Sequence, residues 1–355
     1  MEDLLKQYVN NENHGLSLNV LEEAISKVPK NELANCIGRI RSSLNETSIT
    51  KAALRNNLDL LKCLLEPLKP HERYALLDKS AIHGAAENGH DELIAYVLHS
   101  VHPEHREDLL NLKNSGKFTP LHHAVQNNRK NTVGRMLYSL PENKRCAVLS
   151  NETMSKSTPV HFASGQSQPD IMGCILSSVQ TQSQRQLLLG KHGGGGCLPI
   201  DIAVRLGCFK TLKCMLNWMS RGYLYKLMKI KRPIGTPTLH YAAVRGHKET
   251  VKLLLEPLTP NQRYELIAMS GQLGTTALHV AANHGNFEAL MCMVDLVAPD
   301  NQRRLLTKPD GNNETVLDIA LARNSSSAAV LIQRWFPAVQ ARWGEQEGMH
   351  KLKLC

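Results

Sequence analysis

One small residue returns through this chain at a nearly constant interval. It stands at Ala52, Ala85, Ala124, Ala163, Ala203, Ala242, Ala281 and Ala320, and the successive spacings are 33, 39, 39, 40, 39, 39 and 39 residues. A fixed period in the range of about 20 to 50 residues marks a solenoid, whose units are each too small to bury an apolar face alone and bury it against their neighbours. The core of such a chain grows with the number of units, so 355 residues read as one elongated array rather than as two or three globules. Function is then to be sought on a long surface.

Bulk composition supports a folded chain and narrows the partners. With 42% hydrophobic and 21% charged residues it is far from the profile of disorder. Aromatic residues make up only 5%, which leaves few platforms for stacking single-stranded nucleic acid. No stretch approaches the roughly 18 uncharged apolar residues of a membrane span. The opening Met1-Glu2-Asp3-Leu4-Leu5-Lys6 is too acidic for a Sec-type signal peptide, and the terminal Cys355 lacks the three following residues that prenylation needs. The expectation is an intracellular, cytoplasmic protein without a membrane span.

The cysteines obey the same period. Cys63, Cys174, Cys214 and Cys292 each follow their alanine by 11 residues. Equivalent residues of stacked helices lie about 8 to 10 Å apart, beyond the roughly 7 Å reach of a disulfide. They read as reduced thiols that pack.

Ahead of the alanines stand Thr119-Pro120-Leu121-His122, Thr158-Pro159-Val160-His161, Pro237-Thr238-Leu239-His240 and Thr276-Ala277-Leu278-His279. Threonine caps a helix and proline suits its first turn, where a backbone donor is not needed. This opening resembles the Thr-Pro-Leu-His of ankyrin repeats. Gly89-His90, Gly246-His247 and Gly285-Asn286 match the Gly-His turn of that family, which closes one helix before the next begins. Apolar residues then recur at helical spacing, as in Val251, Leu254, Leu255 and Leu258. Turn-rich stretches such as Asn114-Ser115-Gly116, Gly193 to Gly196 and Asp310-Gly311 would be the projecting hairpin tips of an ankyrin array.

An ankyrin unit of the usual kind has 33 residues, so the extra six need an explanation. Pro70, Pro103, Pro260 and Pro299 lie 18 residues after their alanines, and Arg73, Arg106, Arg145 and Arg263 lie 21 after. Leucine-rich pairs follow, such as Leu109-Leu110 and Leu305-Leu306. Proline at a first turn, a charged outer residue and an apolar pair describe a short third helix. The resemblance therefore implies an all-α ankyrin-repeat solenoid of about eight helix-turn-helix units with a short third helix and projecting hairpin tips. Residues 1–46 read as a degenerate N-terminal cap containing Val28-Pro29-Lys30-Asn31-Glu32-Leu33, residues 47–340 as the array, and 341–355 as a tail. Trp335, Phe336 and Trp343 are expected to cover the last unit.

No catalytic constellation, cofactor motif or metal site is expected. His83, His122, His161, His240 and His279 share one slot, so their side chains run parallel and serve structural hydrogen bonds, as do Thr50, Asp201 and Asp318 in the other repeats. His99, His102 and His105 lie outside the slot, near Glu104 and Asp108. A proline interrupts the helix there, and a solvated cluster is favoured over a metal site. Gly193 to Gly196 lacks the Gly-Lys-Ser/Thr of a phosphate-binding loop and reads as a tip.

Charge is distributed unevenly. Residues 1–120 carry net −3, residues 121–250 net +13 and residues 251–355 net zero. In ankyrin arrays the tips and first helices form the concave wall that commonly binds partners. The solvent-facing ends of the first helices should present Asn127, Gln166, Arg205, Leu206 and Arg245. Together with tip residues, Lys156, Lys191, His192, Arg205, Lys229, Lys231, Arg232 and Arg245 make a basic candidate surface that attracts acidic partners. The same charges would also serve simply to solvate loops. The resemblance implies a monomeric, non-enzymatic scaffold or adaptor docking an acidic protein, in a family that includes effectors delivered into host cells by bacteria. The alternative is a polyanion, nucleic acid or anionic lipid, held by the same segment, although the scarcity of aromatics disfavours nucleic acid.

Overall fold

A computed structural model describes residue 3 and residues 18–40, 46–167, 169–230, 232, 235–323 and 334–335. Each recurring alanine lies in a short helix: Ser48–Leu54, Lys79–Asn88, Pro120–Gln126, Pro159–Ser164, Pro199–Leu206, Thr238–Arg245, Ala277–Asn283 and Val316–Ala322. These are the first helices of eight repeats. The second helices are Leu58–Leu65, Asp91–Ser100, Lys130–Tyr138, Asp170–Ser178, Phe209–Asn217, Lys248–Leu255 and Phe287–Asp295. Helices of this length are marginal alone in water and persist because they stack. Ala85, Ala124, Ala163, Ala242, Ala281 and Ala320 are wholly buried.

The expected third helix is present in seven repeats, as Pro70–Leu76, Pro103–Asn111, Glu142–Leu149, Gln182–Leu189, Arg221–Lys229, Pro260–Ile267 and Pro299–Leu306. All regular elements among the described residues are helical. Leu109, Leu110, Leu305 and Leu306 bury completely or nearly so beneath it, each contributing about 2 kcal/mol by removal from water.

The arginines of this helix are not outer residues, contrary to the sequence reading. Arg145 is only 9% exposed. Its Nε donates to the Leu137 and Leu140 carbonyls at 2.9 and 3.1 Å, and a terminal nitrogen reaches Ser178 O of the next repeat at 3.1 Å. Arg73 does the same with Leu65, Leu68 and Ser100 at 2.8, 2.9 and 3.0 Å, and Arg263 with Leu255 and Leu296 at 3.0 and 3.2 Å. The last carbonyls of a helix have no partner within it. One guanidinium, with its planar array of donors, serves two such ends and ties consecutive repeats together.

The chain divides into two compact units, Met1–Ala163 with Pro169–Leu188, and Ser164–Gln168 with Leu189–Cys355. In the first unit, Leu18–Ser26 packs on the second helix of repeat 1 and Lys30–Arg39 packs on its third helix. These two helices stand against repeat 1 where a preceding repeat would place its second and third helices. In the second unit, Gln302 occupies the arginine position of repeat 7. Its amide donates to Val297 O at 3.2 Å, and its oxygen accepts from the Trp335 indole at 2.7 Å. Phe336 and Trp343 lie outside the described residues.

Turns between first and second helices follow the expected glycines. Gly246 ends its helix at φ 70°, and a Cβ there would stand 2.6 Å from Asn286 Oδ1. Asn286 must come that close because its amide donates to Ala243 O and Val244 O at 2.7 and 2.8 Å.

Candidate functional site

The histidine slot is a bridge between a first helix and the tip of the following repeat. His122 Nδ1 lies 3.1 Å from the Thr119 N–H and 2.8 Å from its hydroxyl, while Nε2 lies 3.2 Å from Ser157 O. Because Nδ1 faces a backbone donor it must be the acceptor, so geometry assigns the proton to Nε2. His279 repeats the arrangement with Thr276 and Glu314 O. His83 and His240 send Nε2 to Phe118 O and Thr275 O at 3.0 and 2.9 Å. Burial drives the His122 pKa down to about 4, and the same cause lowers His240 and His279. In His122 and His279 protonation would also place a second donor against a backbone donor in a dry site.

Repeat 5 departs from this pattern. Its opening is Leu198-Pro199-Ile200-Asp201, and Asp201 is wholly buried. Arg232, only 4% exposed, makes a two-pronged ion pair with it, Nε to Oδ2 and a terminal nitrogen to Oδ1, both at 3.0 Å. Thr238 donates to Asp201 Oδ1 at 2.7 Å and accepts from Arg232 at 2.8 Å. The other terminal nitrogen of Arg232 donates to Leu227 O at 3.0 Å and also to Ile230 O. Every polar atom of the pair has a partner, the condition under which a buried ion pair is tolerated. In repeat 6 the capping threonine is replaced by Pro237, which offers neither N–H nor hydroxyl, and His240 Nδ1 has no hydrogen-bond partner among the described residues.

Arg232 therefore leaves the candidate surface, since a buried and fully paired guanidinium cannot meet a partner. Lys231 lies outside the described residues. Lys229 is exposed but pairs with Glu265 of the next third helix at 3.0 Å, and Tyr225 donates to the same carboxylate. Lys191 is half-buried. His192 is exposed, with Nδ1 3.0 Å from Gly196 O. Arg205 and Arg245 are exposed at the ends of the first helices of repeats 5 and 6. There Arg245 Nε donates to Arg205 O at 2.8 Å, which fixes the direction of its side chain. Leu206 and Val244 are exposed beside them, so this face is mixed basic and apolar. Lys156, in the first unit, is exposed on the tip of repeat 4.

Outside the slot, His99, His102 and His105 are engaged by local neighbours, and the His102 and His105 rings meet edge to face with centroids 6.5 Å apart. His105 stacks on Tyr74 with ring centroids 4.1 Å apart and lies 3.6 Å from Asp108. His102 lies 3.6 Å from Glu104, and His99 faces Ala95 O of its own helix at 2.7 Å. Among the described residues no group of three or more His, Cys, Asp or Glu is placed to hold a metal ion. Burial pushes the Cys63 thiol up to about 11 and also raises Cys174 and Cys292, as packing residues of one slot would show. No described helix is long and apolar enough to cross a membrane.

The family model for ankyrin repeats in three copies matches residues 49–146 and again 239–338, more than half of the chain. The chain belongs to the ankyrin-repeat family. Two solved ankyrin structures share its fold. The ankyrin repeat domain of Bcl-3, a member of the IkappaB protein family, aligns at 18% identity and TM-score 0.55, covering 70% of this chain and 96% of that one. The human ASB11 ankyrin repeat domain aligns at 20% identity and TM-score 0.52, covering 71% and 96%. No curated protein matches the sequence significantly. Ankyrin repeats are generally protein–protein interaction modules, and the exposed helix ends and tips described above are the surfaces this ankyrin array offers.

Proposed function

We propose that the chain binds another protein through the tips and first-helix ends of its central repeats, and that the partner surface is acidic. One observation carries this reading. Arg205 and Arg245 stand exposed on successive first helices within a segment of net charge +13, and their sequence neighbours Leu206 and Val244 are exposed as well. Arg245 is held to the Arg205 carbonyl, so part of its ordering cost is met before a partner arrives. Basic groups beside apolar ones favour an acidic protein surface over a bare polyanion, which would need charge alone.

The test is a pair of charge reversals, Arg205→Glu and Arg245→Glu, in the full chain. Proteins captured by the intact chain and identified by mass spectrometry should be acidic at their contact surface and should be lost with the double variant. Capture that is indifferent to the double variant, or binding that moves to random duplex DNA and collapses with salt, would exclude this reading.

A further inference from the structure

A second surface lies in the first unit, on the tips of repeats 3 and 4. Six tips place the residue seven positions before the alanine at positive φ. In four of them it is Gly196, Gly235, Gly274 or Asn313, which accept the left-handed region readily. In the other two it is Lys117 at φ 60° and Lys156 at φ 59°. A long side chain is disfavoured there, and local strain of this kind collects where function requires a particular side chain. Both lysines are exposed, as is Lys113 on the same tip as Lys117.

Beside these lysines stands an aromatic pair. Phe118 follows Lys117 directly, and its ring lies 5.5 Å from that of Phe162 on the first helix of repeat 4. Both rings are half-buried, in a chain that has only five phenylalanines. The two tips are joined by the Met154 N–H, 3.0 Å from Gly116 O, and the Met154 side chain is 70% exposed. The joined tips thus carry an exposed methionine and three lysines, and the two half-covered rings, packed with His122 and His123, begin directly behind Lys117. Aromatic and methionine side chains are enriched where proteins meet, and the lysines set the sign of what approaches.

We infer that the tips of repeats 3 and 4 dock a protein segment in which an aromatic or aliphatic side chain is flanked by carboxylates. The apolar side chain lies on Phe118, Phe162 and Met154, and the carboxylates meet Lys113, Lys117 and Lys156. This rests on the interaction-module reading but uses a different unit from Arg205 and Arg245, so either can fail alone.

The test selects peptides from a random displayed library on the full chain, then measures the enriched peptides by fluorescence anisotropy. Lys117→Gly with Lys156→Gly is the decisive variant, because it relieves the backbone while removing the charges. Its Tm should stay unchanged or rise, whereas enriched peptides should carry acidic residues around an apolar one and bind the variant about tenfold more weakly. A library that yields no binders, binders without acidic residues, binders indifferent to the double glycine variant, or displacement of the peptide by oligothymidine would each overturn the inference. Arg205→Glu with Arg245→Glu should leave these peptides bound.

Discussion

His122 and Asp201 stand at the same position of their repeats and solve the same problem with opposite chemistry. In repeat 3 a neutral ring accepts from its own helix cap and donates to a backbone carbonyl of the next tip, 35 residues on, so that it needs no second side chain outside its own repeat. In repeat 5 a carboxylate accepts from its own cap, Leu198 N–H, at 2.9 Å and then needs Arg232, 31 residues later, and Thr238 to become tolerable. The neutral solution can be copied from repeat to repeat unchanged. The charged one brings Asp201, Arg232 and Thr238 together because the carboxylate is buried, whereas Asp318, in the same slot of repeat 8, is exposed and accepts from Thr315.

Removing one half of the charged pair should have the largest effect. Arg232→Ala leaves an uncompensated buried carboxylate and should cost about 3–5 kcal/mol, read as a lowered urea midpoint. Adding Asp201→Ala to it should recover part of the loss, because the two costs are coupled. Additive losses would mean that the pair does not act as a unit.

Acid should separate the two solutions next. The folded chain holds His122 well below the ordinary histidine value of 6.5, at about 4. Above about pH 6.5 neither folded nor unfolded chain protonates it, and its full contribution is present. As pH falls from 6.5 to 4 only the unfolded chain takes up the proton, so stability drains, by on the order of 3 kcal/mol from this one ring. His240 and His279 add in the same direction. Denaturation midpoints measured across that window should fall steeply, and His122→Gln should flatten the slope. A smaller effect is expected from Arg145→Met, which keeps the packing but leaves carbonyls of two repeats without donors. About 2 kcal/mol should be lost, measured as a shift in Tm.

The repeat, its three helices and its tips could be read from the sequence because each is a local pattern of apolar spacing, capping residue and glycine. The arginines were misplaced for the same reason. A charge between two apolar stretches reads as an outward face, and the helix-end carbonyls that draw Arg145 inward leave no trace in residue type. Arg232 was hidden by its neighbours, since it follows Lys226, Lys229 and Lys231 in what looks like a solvated run. Its partner could have been suspected, because Asp201 stands where histidine is usual. Lys117 and Lys156 were visible as tip charges, but their positive φ was not, and neither was the meeting of Phe118 with Phe162 across 44 positions.

The arginine bridges carry a consequence for how such an array can change in length. Arg106, Arg145 and Arg263 each reach a carbonyl 33 positions ahead, while the histidine slot reaches 35. Both distances survive intact when a whole long unit is deleted or duplicated, so the array can grow or shrink by entire blocks without orphaning a donor. The unit from Ala52 to Ala85 is the exception that tests this: at 33 residues it still keeps its third helix, Pro70–Leu76, and Arg73 reaches Ser100 O 27 positions ahead, because only two residues stand between that helix and the next first helix. Length can therefore vary at the tips, while the link from a third helix to the second helix of the following unit is kept.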